Sequence, residues 1–217
     1  MRSLVIGASG GIGAALALAL SAQGEVVALS RSADGLDITD EASVARLMGA
    51  LEPSFERIII ATGALAGPGQ APEKSLRALN AGQIAAQFAL NAMGPALVVK
   101  HALRLLPRDR PAQLGVLSAR VGSIGDNALG GWYSYRASKA ALNQMIHTAS
   151  IEIARSHPLA VVACLHPGTV ATNFTADYAA EKVTPAVAAD RLLRVLAGLT
   201  PSQSGGFYDW AGRVIVW

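Results

Sequence analysis

The chain has 217 residues, 52% of them apolar and 15% charged, with a net charge of +3 at pH 7 and a single cysteine, Cys164. That balance points to one domain with an ample core. It excludes a disordered chain, an internal disulfide and a cysteine-clustered metal site.

In chain order, Arg2–Ile6 reads as a short buried strand, Gly7–Gly13 as a glycine-rich turn and Ala14–Gln23 as a helix. The alanine–leucine run Ala14–Leu20 is too short to span a bilayer, and the turn before it lacks the basic flank of a signal peptide. Glu25–Leu29 is a second apolar strand, and Asp40–Leu51 has helical spacing with Thr39 or Asp40 as N-cap. Arg57–Ala61 is β-branched and bounded by Thr62-Gly63, which predicts a strand. A long helix is expected over Ala81–Leu106, stopped by Pro107. Gln113–Ser118 then reads as a strand, Trp132–Ser156 as a helix and Leu159–Leu165 as a strand ending at Pro167-Gly168. Thr184–Leu199 is a helix with Pro185 in its first turn, and Gly205–Trp217 has room for a last strand. Strands apolar throughout, alternating with helices, predict a doubly wound, Rossmann-type parallel α/β sheet over residues 1–217, with ligands at the carboxyl ends of its strands. The arginines are scattered with no basic stripe, so no nucleic-acid partner is expected, and with no bilayer-length apolar run the expected location is cytoplasmic. His101, His147 and His157 show no metal spacing, and His166 reads as a structural histidine.

Gly7-Ala-Ser-Gly-Gly11-Ile-Gly13 joins the first strand to the first helix. Glycine lets the backbone turn sharply and approach a pyrophosphate, and a helix N-terminus offers free N–H groups and a positive dipole end. The spacing is G-x-x-x-G-x-G, not the commoner G-x-G-x-x-G. It resembles the short-chain dehydrogenase/reductase family, whose pattern is T-G-x-x-x-G-x-G, with Ile6 here in place of the threonine. Further motifs follow in family order across nearly the whole chain. The resemblance implies a nicotinamide cofactor on Gly7, Ser9, Gly11, Ile12 and Gly13.

The second strand ends at Ser30-Arg31. No acid stands there to accept hydrogen bonds from a free ribose, and a guanidinium suits a 2′-phosphate, so NADP(H) is expected. Asp37-Ile38 resembles the family's adenine-side segment, implying contacts from the Asp37 carboxylate and the Ile38 amide. Where the family shows N-N-A-G this chain has Ile60-Ala61-Thr62-Gly63, keeping Gly63 for close approach and losing an asparagine that braces the sheet. His166-Pro167-Gly168-Thr169-Val170-Ala171-Thr172 resembles P-G-x-V-x-T and implies that Pro167, Gly168, Val170 and Thr172 meet the carboxamide and phosphate side of the cofactor.

Tyr135-Arg-Ala-Ser-Lys139 places a phenol and an ammonium one turn apart on a helix. An adjacent cation favours the phenolate of a tyrosine whose ordinary pKa is about 10, which fits it for proton transfer to or from a carbonyl or alcohol oxygen. Tyr133, which has no matching lysine, reads as a wall of the substrate cleft. Asn91 in Asn91-Ala-Met-Gly94 resembles the family's N-x-x-G, which implies a proton-relay role beside the lysine. In Leu117-Ser118-Ala119-Arg120-Val121-Gly122-Ser123, Ala119 falls where the family has its catalytic serine. Ser118 should face away along the strand, which leaves Ser123 as the candidate hydroxyl.

These segments, with Gly206-Phe-Tyr-Asp-Trp210-Ala-Gly-Arg, are most similar to the C-factor/sniffer carbonyl-reductase branch. The implied function is an NADP(H)-dependent carbonyl reductase acting on a small-molecule carbonyl or alcohol, with Asn91, Ser123, Tyr135 and Lys139 catalytic. The alternative is a catalytically weak cofactor-binding signalling or sensor protein of C-factor type. Family members pair the two long helices across a two-fold axis, so a homodimer or homotetramer is expected. The stretch between Thr172 and Thr184 leaves room for only a brief substrate lid.

Overall fold

The computed structural model describes every residue except Pro68, Asp177, Tyr178 and Ala180. Six strands, β1 (Arg2–Ile6), β2 (Glu25–Leu29), β3 (Arg57–Ile60), β4 (Ala112–Leu117), β5 (Ala160–His166) and β6 (Phe207–Asp209), form one sheet. Its order is β2-β1-β3-β4-β5-β6, and every neighbouring pair is parallel. Among the described residues seven α-helices connect them: α1 (Gly11–Ser21), α2 (Arg31–Asp34), α3 (Glu41–Gly49), α4 (Ala81–Phe88), α5 (Gly94–Ala102), α6 (Tyr133–Ser156) and α7 (Pro185–Gly198). This is the doubly wound Rossmann-type sheet expected from the sequence.

Side chains alternate between the two faces of the sheet, and each face has its own core. Leu4, Ile6, Ile58, Ile60, Val116 and Cys164 meet Val44, Met48, Val98, Leu142 and Ile146 on the α3–α5–α6 side. Val5, Ile59, Leu117, Ala163 and Leu165 meet Leu16, Leu20, Leu192 and Leu196 on the α1–α7 side. The chain runs outward from β1 to β2 and then crosses back to β3 on the far side of β1, so the strand order reverses between β1 and β3. That reversal opens a crevice above the carboxyl ends of the strands.

The differences from the sequence reading have local causes. α1 starts at Gly11, three residues before the expected Ala14, because the last glycines of the turn form its first turn. The unexpected α2 is made by the Ser30 hydroxyl, which accepts the Ala33 N–H at 3.1 Å, and is closed by Gly35 in the left-handed region. The expected helix over 81–106 is interrupted at Ala89–Met93 by a π turn and ends in a 3-10 turn at Leu103–Leu105. In the tail, only Phe207–Asp209 pairs as a strand in the sheet. The brief lid expected between Thr172 and Thr184 lies partly outside the described residues.

Leu16 is fully buried between the sheet and α7. Leu16→Ala should therefore cost about 2–5 kcal/mol, read as a lower urea midpoint at unchanged slope. An unchanged midpoint would mean that α1 is not packed as described.

Candidate active site

The carboxyl ends of β1, β3, β4 and β5 open onto a cleft of about 700 Å³. One end is the turn into α1. The Gly7 and Ala8 amides both donate to the Leu29 carbonyl, at 2.8 and 3.2 Å, which ties this turn to the end of β2. A Cβ on Gly13 would lie 2.2 Å from the Gly7 carbonyl oxygen, so only glycine permits the close crossing. The N-cap is Gly10, with no capping side chain and no acid in the first turn. The first amides of α1 are thus left for a ligand, with the positive end of the helix dipole behind them. Ser9, Gly11 and Ile12 line the cleft at this point. Facing them, Pro167, Gly168, Val170 and Thr172 form the wall that follows β5. Thr172 braces that wall by accepting the Thr175 amide in a capping box.

Tyr135 and Lys139 reach the cleft from α6. The Tyr135 ring, 5% exposed, stands 6.4 Å from the Trp132 ring and 5.8 Å from that of Phe174, centroid to centroid. Lys139 is buried, and its Nζ donates to the Leu117 carbonyl at 3.0 Å. No carboxylate pairs with it among the described residues, and burial lowers its pKa from 10.5 to about 8. Ala61 and Gly63 line the cleft after β3. Gly63 has φ 148°, and a Cβ there would sit 3.0 Å from Asn91 Oδ1 and 3.2 Å from Lys139 Nζ.

Asn91 lies behind this wall, fully buried in the π turn. Its Oδ1 accepts the Ala64 N–H and its Nδ2 donates to the Ala64 carbonyl, both at 2.9 Å. Nδ2 also donates to Gln87 Oε1 at 2.6 Å and, more weakly, to Ser138 Oγ at 3.3 Å. The side chain therefore fixes the loop after β3.

The serine expectation needs correction. Ala119 lines the cleft where a hydroxyl was sought, whereas Ser123 does not line it. Ser123 is 2% exposed, and its Oγ accepts the Asp126 N–H at 3.0 Å, which turns it into the loop that follows β4. Ser118 lines the cleft, but its hydroxyl is turned from it, donating to Asn143 Oδ1 at 2.6 Å. Tyr133 is 36% exposed and is not part of the cleft wall.

Ser30, Arg31, Asp37 and Ile38 are not part of the cleft itself and cluster beyond the end of β2. The Ser30 hydroxyl is occupied as the α2 cap, and Arg31 is exposed in the first turn of that helix. The Asp37 carboxylate accepts the Thr39 hydroxyl and N–H, at 2.7 and 2.9 Å, and these bonds hold its pKa below the usual carboxylate range. The Ile38 side chain is buried against Gly94.

Two features were not found in the sequence. Arg120, at the cleft, pairs with Asp126 at 3.1 Å and with buried Asp209 at 3.4 Å. Its charge adds to the effect of burial in holding the pKa of cleft-lining His166 at about 4, so that imidazole is neutral at pH 7. Second, α6 has no capping side chain on its N-cap residue Trp132, whose φ is 52°. Buried Glu73 caps it instead, accepting the Ser134 N–H at 3.3 Å and the Ser134 hydroxyl. The only local hint is the Gly130-Gly131 pair before Trp132; nothing in the sequence points to a partner 61 residues upstream.

A parallel sheet with an open helix N-terminus at its switch point and a Tyr–Lys pair beside it defines a Rossmann-type oxidoreductase. The short chain dehydrogenase family matches residues 2–183, and the chain belongs to that family. It is 33% identical to the 1-hydroxy-2-glutathionyl-2-methyl-3-butene dehydrogenase of Rhodococcus sp. strain AD45, over 99% of this chain and 98% of the relative. It is 34% identical to the C-signal of Myxococcus xanthus, over 62% of this chain and 78% of that protein. Among solved structures, the carbonyl reductase Sniffer of D. melanogaster superposes with a TM-score of 0.85 at 21% identity, over 100% of this chain and 99% of that one. The NADPH-bound carbonyl reductase from chicken fatty liver gives 0.84 at 23% identity, over 100% and 94%. At these identities the structural likeness speaks to the fold. No helix among the described residues is long and apolar enough to cross a membrane.

Lys139 generates a test independent of turnover. Between pH 8 and 10.5 the unfolded chain binds a proton at this residue that the folded chain gives up, so stability rises with pH across that window. Below pH 8 the buried charge is a standing cost. Lys139→Met, compared with the parent by thermal melting without added nucleotide, should gain most at pH 7 and lose that advantage toward pH 10. A difference independent of pH would show that Lys139 titrates as an exposed lysine does.

Proposed function

We propose that this chain is an NADP(H)-dependent carbonyl reductase that interconverts a small-molecule carbonyl and its alcohol, with Tyr135 as acid and base and Lys139 assisting it. The observation that carries this reading is the shared cleft: Tyr135 and Lys139 line one wall, one helical turn apart, and the uncapped start of α1 lies across from them. The glycine crossing at Gly7 and Gly13 fits a pyrophosphate, held with Ser9, Gly11 and Ile12. Ala61 and Gly63 fit the ribose side, and Pro167, Gly168, Val170 and Thr172 the carboxamide side. Asp37 and Ile38 serve adenine, and Arg31 the 2′-phosphate.

Nicotinamide, when bound, supplies the hydride. The Tyr135 hydroxyl gives its proton to the carbonyl oxygen, and its phenolate takes a proton from an alcohol in the reverse direction. The Lys139 ammonium stabilises that phenolate, and the Trp132 and Phe174 rings keep bulk water from it. Asn91 is a positioning residue, acting through Ala64, Gly63 and Lys139. In this reading the protein is cytoplasmic and pairs through α4–α5 and α6 as a homodimer or homotetramer. A relative named cis-4-hydroxycyclohexanecarboxylate dehydrogenase, 29% identical over 71% of this chain, is consistent with alcohol chemistry. The second reading, a weakly catalytic cofactor-binding signalling protein, is favoured by one observation, Ala119 in place of a hydroxyl at the cleft.

NADPH oxidation against aldehydes, ketones and quinones separates the two readings. Tyr135→Phe should abolish turnover, and Ala119→Ser should raise it about tenfold or more by restoring a donor to the substrate oxygen. A Tyr135→Phe protein as active as its parent would end the reductase reading and leave the signalling one.

NADPH should also bind more tightly than NADH in fluorescence titration, with Arg31→Ala removing most of the difference. Equal affinities in the parent, or an unchanged preference in the variant, would refute the role given to Arg31.

A further inference from the structure

We propose that Arg136 selects the substrate class, and that this class is carbonyls and alcohols bearing a carboxylate. The inference rests on the reductase reading and goes beyond it.

Arg136 follows Tyr135 on α6 and lines the cleft on the side walled by the loop after β4. Among the described residues its guanidinium is held by neutral acceptors. Nε donates to the carbonyls of Gly131 at 3.0 Å and Gly130 at 3.2 Å, and Nη1 donates to that of Val121 at 3.3 Å. Among the described residues Nη2 donates to no protein atom, and no carboxylate lies within ion-pair distance of the group. The cleft's other charges are accounted for differently. Arg120 is neutralised by Asp126 and Asp209. Lys139 is buried on the Leu117 carbonyl and serves the tyrosine. Arg136 therefore carries a positive charge on the cleft wall, near the proposed proton donor, that no carboxylate among the described residues pairs with and that, unlike the Lys139 ammonium, is not committed to the tyrosine.

A half-buried guanidinium met by dipoles alone gains most from an anion. Its planar fork suits a carboxylate in two-pronged contact, and the three backbone bonds already fix its orientation. The proposed phosphate contacts of the cofactor lie elsewhere, at α1 and Arg31, so the group is available to the substrate. Trp132, Phe174 and Leu129 line the same cleft and suit an apolar body between the carbonyl and the acid.

The test compares 3- and 4-carboxybenzaldehyde with their methyl esters as substrates for NADPH oxidation. The ester is the more electrophilic aldehyde in each pair, so intrinsic reactivity alone favours it. The parent enzyme should instead prefer the acid by about tenfold or more in kcat/KM for at least one pair, with the difference carried in KM. Arg136→Gln should bring the acid-to-ester ratio down to or below one, and Arg136→Lys should keep part of it. Added salt should erode the preference of the parent and leave the ratio in the Gln variant unmoved. Esters turned over as well as acids by the parent would overturn the inference while the reductase reading stands. So would an Arg136→Gln protein in which both rates fall together at constant ratio, the behaviour of a loop brace. If neither kind of aldehyde is reduced while Tyr135→Phe matches its parent, the reductase reading falls and the inference falls with it.

Discussion

Two hydrogen bonds between the Asn91 amide and the Ala64 backbone hold the active-site region together. They resemble one rung of a sheet ladder made by a side chain, and they satisfy an amide that would be costly to bury alone. They also set the height of the loop after β3, and with it the position of Gly63 against Lys139. The π turn contributes by widening the helix at Asn91, where the side chain must reach sideways into the loop. Asn91 thereby ties the loop after β3 to its own helix and, through Ser138, to α6.

The electrostatics of the cleft follow from burial as much as from charge pairs. Lys139 gives up proton affinity because it is desolvated with no carboxylate beside it among the described residues, and His166 stays neutral through burial and the nearby Arg120 charge. At pH 7 the lysine is mostly protonated and the histidine uncharged. The cleft consequently carries a positive potential suited to an anionic dinucleotide, although the protein as a whole bears a net charge of only +3.

Much of the fold was legible because its strands are apolar on both faces and its helices end at glycines and prolines. The Rossmann-type sheet, the glycine turn and the Tyr135–Lys139 pair depend on short-range spacing, which a sequence displays. What escaped depends on contacts between distant segments or on precise direction. The π turn left no mark, since Ile84, Asn91, Val98 and Leu105 keep a seven-residue spacing through it. Ser123 is near Tyr135 in the chain, yet the 3-10 turn at Arg120–Gly122 takes its hydroxyl into the loop, a rotation that spacing does not encode. Alternation along β4 did foresee that the Ser118 hydroxyl is turned away. The ion pairs of Arg120, one of them spanning 89 residues, were beyond any local pattern.

The Glu73 cap on α6 has an evolutionary consequence. A buried carboxyl and the hydroxyl it accepts from form a matched pair, and changing Ser134 alone leaves Glu73 with only the 3.3 Å bond from the backbone N–H at the start of the helix that carries Tyr135. Drift at either position is thus contingent on the other. The segment around Glu73, which forms no strand or long helix of its own, is drawn into the inheritance of the tyrosine's position. Lineages that diversify this chain should be able to vary exposed Ile124 and Ala128 far more freely than the stretch that supplies the cap.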